Sequence, residues 1–146
     1  MAGFYGTITT EVKEYDMAFL QGKKILITGM ISDRSIAYGI AKACHEQGAE
    51  LAFTFAVDKL EERVRKLANG LGSDLVFHCD VQSDEEIAGA FAELGKHWDG
   101  LDGLVHSIAF APKEALSGDF LDSITREAFN TAHEVSAYSL PALAKA

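Results

Sequence analysis

The chain has 146 residues, 48% hydrophobic and 24% charged, which suits one soluble domain with a core of its own. A net charge of −9 opposes binding to nucleic acid or to an anionic membrane surface, since neither partner would gain electrostatically. The longest apolar runs are strand-length, so no transmembrane helix is expected.

Residues 1–16, MAGFYGTITTEVKEYD, lack the basic start and apolar stretch of a secretory signal. They are polar and unlike the rest of the chain, and are expected to form an atypical N-terminal extension, partly disordered or holding a short local element. From residue 23 the pattern alternates. Ile25-Leu26-Ile27-Thr28 suits a strand buried on both faces, so a strand is expected over 23–29. Gly29 ends it, where a backbone without a Cβ can turn sharply and let a ligand approach. Ser35 is an N-cap candidate, and Ile36, Gly39, Ile40 and Ala43 recur at helical spacing, giving a helix over 35–48 that closes at Gly48. A second strand is expected over 50–56. Leu60, Val64 and Leu67 mark a helix over 58–69, stopped by Gly70 and Gly72.

The third strand is expected over 74–79. Ser83-Asp84-Glu85-Glu86 then reads as a helix start, with acids in the first turn, and Ile87, Phe91, Leu94 and Trp98 continue its apolar face. A fourth strand is expected over 103–109 and a loop over 111–122, with a final helix from about residue 123. Pro141 inside that helix should kink or break it. Strand and helix repeated without a linker predict a parallel sheet with helices on both faces and right-handed crossovers. The expected strand order is 3-2-1-4, with the ligand site at the switch point between strands 1 and 4.

At that switch point three strand ends should converge: Gly29 to Ile36, Asp80-Val81, and His106 to Ala109. A helix starting just after a buried parallel strand turns free N–H groups toward the sheet's carboxyl edge, which suits the pyrophosphate of a dinucleotide. The G-x-G-x-x-G fingerprint is absent. Gly29-x5-Ser35-x-Ala37 stands in its place, and an ordinary strand-to-helix turn that binds nothing is the competing reading. Asp80 either contacts an adenine amine or only closes a turn between strand and helix. At the end of strand 2, Asp58 either meets a ribose or caps the next helix, and the lack of an arginine there favours NAD over NADP. Cys44 and Cys79 read as reduced thiols of a cytoplasmic protein. The five histidines fall into no metal-ligand spacing, and no metal is expected.

The stretches GKKILITG, SIAYGIA, GAELAFTF, CDV, LDGLVHSIAFAP and TREAFNTAHEVSAYS occur together in this order. In them the chain from residue 17 onward resembles the N-terminal half of the bacterial NADH-type enoyl-acyl-carrier-protein reductases, a divergent branch of the short-chain dehydrogenase/reductases. The resemblance implies an α/β, Rossmann-like fold, with 17–146 a partial NAD-binding domain truncated after about four strands. It implies NADH/NAD as cofactor and the 2,3 double bond of an enoyl thioester on acyl carrier protein as substrate, in fatty acid elongation. It implies a homo-oligomer, a tetramer in the family.

Carried over motif by motif, Gly29, Ser35, Ile36, Asp80, Val81 and Ile108 are implied cofactor contacts. Ala111 lies where the family's acyl chain touches the loop after strand 4. Two residues depart from the family pattern. Ala109 replaces the glycine of HSIGFAP, and its methyl narrows the room beside the expected nicotinamide. Ala56 stands where a glutamine often lies near the adenosine. The family's catalytic tyrosine and lysine, Y-x6-K, align with none of these residues, so no catalytic residue is assigned. Tyr138 and Lys145 have that spacing, but their context, AYSLPALAKA, matches the helix before the catalytic strand. An enzyme completed by further chain is one expectation; a non-catalytic nucleotide-binding half-domain is the other.

Overall fold

A computed structural model describes residues 18–146. The N-terminal extension expected over 1–16 lies outside the described residues. The run Ile25-Leu26-Ile27 forms the last three residues of β1 (Lys24–Ile27), which pairs in parallel with β2 (Glu50–Phe55) on one side and β4 (Gly103–Val105) on the other. β3 (Val76–His78) pairs with β2, so the order is β3-β2-β1-β4, as the crossover pattern predicts.

Both faces of the sheet are covered, and the alternation of side chains decides what goes where. Ile25 and Ile27 of β1, with Leu51, Phe53 and Phe55 of β2, pack against α1 (Ile36–Glu46) and α2 (Glu61–Gly70). Their neighbours Leu26 and Ala52 point the other way, onto Leu94 of α3 (Asp84–Leu94) and onto Trp98. A strand read as apolar without a period of two is therefore a strand with two buried faces. Ser35 caps α1 by accepting the Tyr38 N–H at 3.2 Å, and Ser83 caps α3 by accepting the Glu86 N–H at 3.2 Å. Each satisfies a donor that the first helical turn leaves without a partner.

Two expectations need correction. β4 does not run to residue 109 but stops at Val105. Its sheet partner among the described residues, β1, ends at Ile27, because Gly29 turns the chain away at φ 80°. Beyond that point a side chain replaces the ladder. Thr28 donates to the Val105 carbonyl from both its N–H and its Oγ1, each at 3.0 Å, and the Ser107 N–H donates to Thr28 Oγ1 at 3.4 Å.

The second correction concerns the C-terminal third. A 3-10 turn (Lys113–Leu116) and the short helix α4 (Phe120–Ser123) occupy the expected loop. The single final helix is three pieces: α5 (Arg126–His133), a π-helical turn (Glu134–Tyr138) and α6 (Ser139–Lys145). Pro141 is the third residue of α6, directly after the π-helical turn, and the helix runs on past it to Lys145 rather than breaking.

Candidate functional site

The carboxyl ends of all four strands open into one cleft of about 380 Å³. Its floor begins at Gly29-Met30-Ile31 after β1. One wall comes from Thr54 to Val57 at the end of β2, with Leu60 and Val64 behind it. A second is Cys79 to Gln82 after β3, and a third is Ser107 to Phe110 after β4, closed by Val135 of the π-helical turn. A larger, more open depression of about 730 Å³ lies between α1 and α2, lined by Arg34, Arg63 and Lys66. It touches no strand end.

Gly29 is fixed by geometry before any ligand is considered. Its φ of 80° disfavours a side chain, and a Cβ built there would overlap the Ser107 carbonyl, reaching 2.6 Å from its carbon. The glycine therefore lets the β1 exit and the β4 exit touch, which is what makes the cleft's floor.

The β3 exit is organised by one carboxylate. Glu86 Oε2 accepts the Asp80 N–H at 2.7 Å and lies 3.0 Å from His78 Nδ1. His78 Nε2 lies 3.8 Å from Asp58 Oδ1, so an acid–histidine–acid row runs along the outer rim. Asp80 closes its own turn by accepting the Gln82 N–H on Oδ1 at 3.0 Å, while still lining the cleft. Asp58 does not cap the following helix with its side chain; it opens a 3-10 turn (Asp58–Leu60) and faces His78 instead. Cys79 lies between, 2% exposed, and its thiol is pushed up to about 11 by burial first and by the charges of Glu86 and Asp80 second. It stays a neutral, unreactive wall at ordinary pH.

The residues carried over from the family separate into two groups. Gly29, Asp80, Val81 and Ile108 line the cleft, as do the two departures, Ala56 and Ala109, both exposed. Ser35, Ile36 and Ala111 do not line it. Ser35 sits at the mouth of α1, its Oγ donating to the Ser32 carbonyl at 2.7 Å, and Ile36 is 77% exposed beside it. Ala111 is half-buried on the chain leading away from β4. Tyr138 and Lys145 line the cleft at no point, and Tyr138 faces outward beside Phe129 and His133.

Sequence reasoning missed the contribution of the π-helical turn. Val135 closes the cleft, and the chain carried no motif that would have brought the last helix to the first strand's exit. It also missed Thr28 and Glu86 as the side chains that shape two of the walls.

A family model described as enoyl-(acyl carrier protein) reductase matches residues 29–146, a span that starts at the cleft-floor glycine. The chain belongs to the enoyl-(acyl carrier protein) reductase family. Among its relatives in that family, the enoyl-acyl-carrier-protein reductase (NADH) FabI of Neisseria meningitidis serogroup B is 85% identical over 130 residues, covering 89% of this chain and 50% of that protein. The FabI of Escherichia coli K12 is 57% identical with the same coverage. The chain thus spans about half the length of the curated relatives it matches. In three dimensions it superposes on the reductase (NADH) from Aquifex aeolicus VF5 with a TM-score of 0.83 at 54% identity, covering 86% of this chain and 50% of that one. A reductase from Anaplasma phagocytophilum crystallised in complex with NAD superposes with a TM-score of 0.82 at 39% identity, covering 86% and 48%.

Proposed function

We propose that the cleft at the switch point holds NADH for the reduction of the 2,3 double bond of an enoyl thioester on acyl carrier protein. The observation that carries this reading is the convergence of four parallel strand ends on one cleft whose floor is a glycine that tolerates no side chain. The donor set suits a dinucleotide. α1 begins just beyond the cleft floor, and its first N–H groups have no acceptor within the helix, an arrangement that attracts a pyrophosphate. Phe55, Val57, Leu60 and Val64 offer an apolar bed for a purine, and Asp80 and Val81 a polar and an apolar edge beside it.

In this reading Gly29 admits the pyrophosphate backbone-close, Asp80 and Val81 meet the adenine, and Ile108 supports the nicotinamide end. Ser35 and Ile36 contribute through the start of α1, and Ala111 lies along the path of the acyl chain. When bound, NADH supplies the hydride. The chain's own residues bind and orient it, and the tyrosine and lysine that complete the chemistry in the family come from outside these residues. No arginine stands in the run Phe55–Lys59 at the end of β2 for a 2′-phosphate, which favours NADH over NADPH. The active form is proposed to be a cytoplasmic homo-oligomer; among the described residues no helix is long and apolar enough to cross a membrane.

Titration of the protein with NADH and NADPH, followed by cofactor fluorescence, tests this. Saturable binding that is tighter for NADH supports the reading, and no binding of either overturns it. A second reading, a nucleotide-binding module without catalysis, rests on the observation that among the described residues no tyrosine or lysine lines the cleft. NADH binding without turnover of an enoyl thioester by the whole protein would select it.

A further inference from the structure

The exit of β4 is held from an unexpected direction. Ser136, in the π-helical turn, accepts the Phe110 N–H on Oγ at 3.0 Å and donates back to the Phe110 carbonyl at 3.1 Å. One hydroxyl thus satisfies both backbone groups of one residue of the cleft wall. Three residues on, Ser139 is fully buried. Its N–H reaches back five residues to the Glu134 carbonyl, which is the bond that widens the turn. Its hydroxyl then donates to the Val135 carbonyl at 2.6 Å, four residues back. With that hydrogen spent, the Ser139 oxygen can only accept from His106 Nε2, 2.7 Å away at the end of β4. His106 must therefore carry its hydrogen on Nε2. Val135, just before Ser136, packs in one cluster with Ile108.

We propose that Ser136 and Ser139 are positioning residues for the NADH site, the π-helical turn presenting them as two clasps on the wall His106–Phe110. The inference rests on the reading of the cleft as a dinucleotide site and deepens it. Without the clasps this wall has no ladder, since β4 ends at Val105 and only Thr28 holds the chain beyond it. A loop held at both ends binds without first having to be ordered, and that is the contribution to affinity.

The test uses the whole protein with Ser136→Ala, Ser136→Thr and Ser139→Ala. It reads NADH affinity by titration, amide hydrogen exchange along 103–110, and the His106 tautomer by nitrogen NMR. S136A is expected to weaken NADH binding about five- to tenfold and to speed Phe110 exchange by a similar factor, as loss of a bonded hydroxyl implies, with β1 amides unchanged. S136T, which keeps the hydroxyl, restores both. S139A is expected to release His106 from the Nε2–H form, and it serves as the second arm should S136A not fold. Wild-type binding with unchanged affinity in both alanine variants overturns the positioning role and leaves the dinucleotide reading standing. Failure of the wild type to bind NADH overturns that reading and this inference with it.

Discussion

On one side of β1, the strands β2 and β3 and the helices α1 and α2 enclose side chains that are almost all withdrawn from water: Phe53, Ile27, Met30 and Val64 show no exposed surface. On the other side, β4 is half-buried along its whole length, and the chain beyond it exposes Leu116, Phe120, Leu121 and Phe129, with Leu121 79% exposed. The two sides are equally apolar in sequence. What separates them is the number of layers that meet them. β2 lies between two strands and beneath helices on both faces, whereas among the described residues β4 has one strand neighbour. Apolar character makes burial favourable, but a neighbour must exist for it to happen.

The sharpest way to break this contrast is at the point where the two sides touch. Gly29→Ala puts a methyl into the Ser107 carbonyl and forces φ 80° on a residue that avoids it, so a loss of more than about 3 kcal/mol is expected in denaturant unfolding. A loss under about 1 kcal/mol would mean the two exits are not held as described. Next in size is a matched pair of truncations. Phe53→Ala, in the packed side, is expected to cost about 3–5 kcal/mol. Phe120→Ala, 66% exposed on the open side, is expected to change stability by no more than about 0.5 kcal/mol while reducing self-association of the 146 residues in sedimentation. Equal costs for the two would erase the distinction.

Smaller effects come from titration. The Cys79 thiol is raised to about 11 by burial, so its neutral form belongs to the folded state. That stabilisation is complete below the ordinary thiol range and is lost as pH rises through about 11, and Cys79→Ala should flatten the fall in Tm across this window. An unchanged slope would place the alkaline loss elsewhere. The smallest effect lies at the opposite edge of the sheet. There the Lys23 ammonium, at 2.8 Å, and then the Lys24 N–H hold the Asp102 carboxyl below its usual range. Its contribution is present above the ordinary carboxylate pKa and fades as pH falls through the lowered one. Asp102→Asn should therefore lower Tm slightly at pH 7 and not at all at strongly acid pH. The pair is exposed, and salt will screen it.

Much of the fold was legible in the chain because its signals are local. Ser35 and Ser83 announce helix starts by a hydroxyl that only a helix's first turn can use, and Ile25-Leu26-Ile27 marks a doubly buried strand by lacking alternation. The strand order followed from reading the alternation of strand and helix as a doubly wound sheet with right-handed crossovers. The end of β4 was not legible, because Leu104-Val105-His106-Ser107 stays strand-like in composition and stops being a strand only where Gly29 removes its partner. The closure of the cleft by Val135, with Ser136 and Ser139 bonded to the β4 exit beside it, was hidden for a similar reason. A π-helical turn leaves no compositional trace, and Pro141 signals a disturbance without saying what the disturbed turn will face. All seven carried-over residues came from motif matching, and Ser35, Ile36 and Ala111 stand outside the cleft that the other four line.

The central place of β1 also sets a timetable. Its partner β2 comes within about thirty residues, so β1, β2 and the helix between them can close early as the chain leaves the ribosome. Its partner β4 pairs Leu26 with Leu104, a contact that must wait until the whole β2–α3 excursion has been made and folded out of the way. The wall held by the two serines comes later still. During synthesis the cleft is the last part of these residues to exist, and a nascent chain halted before residue 105 would carry the packed side and no cleft.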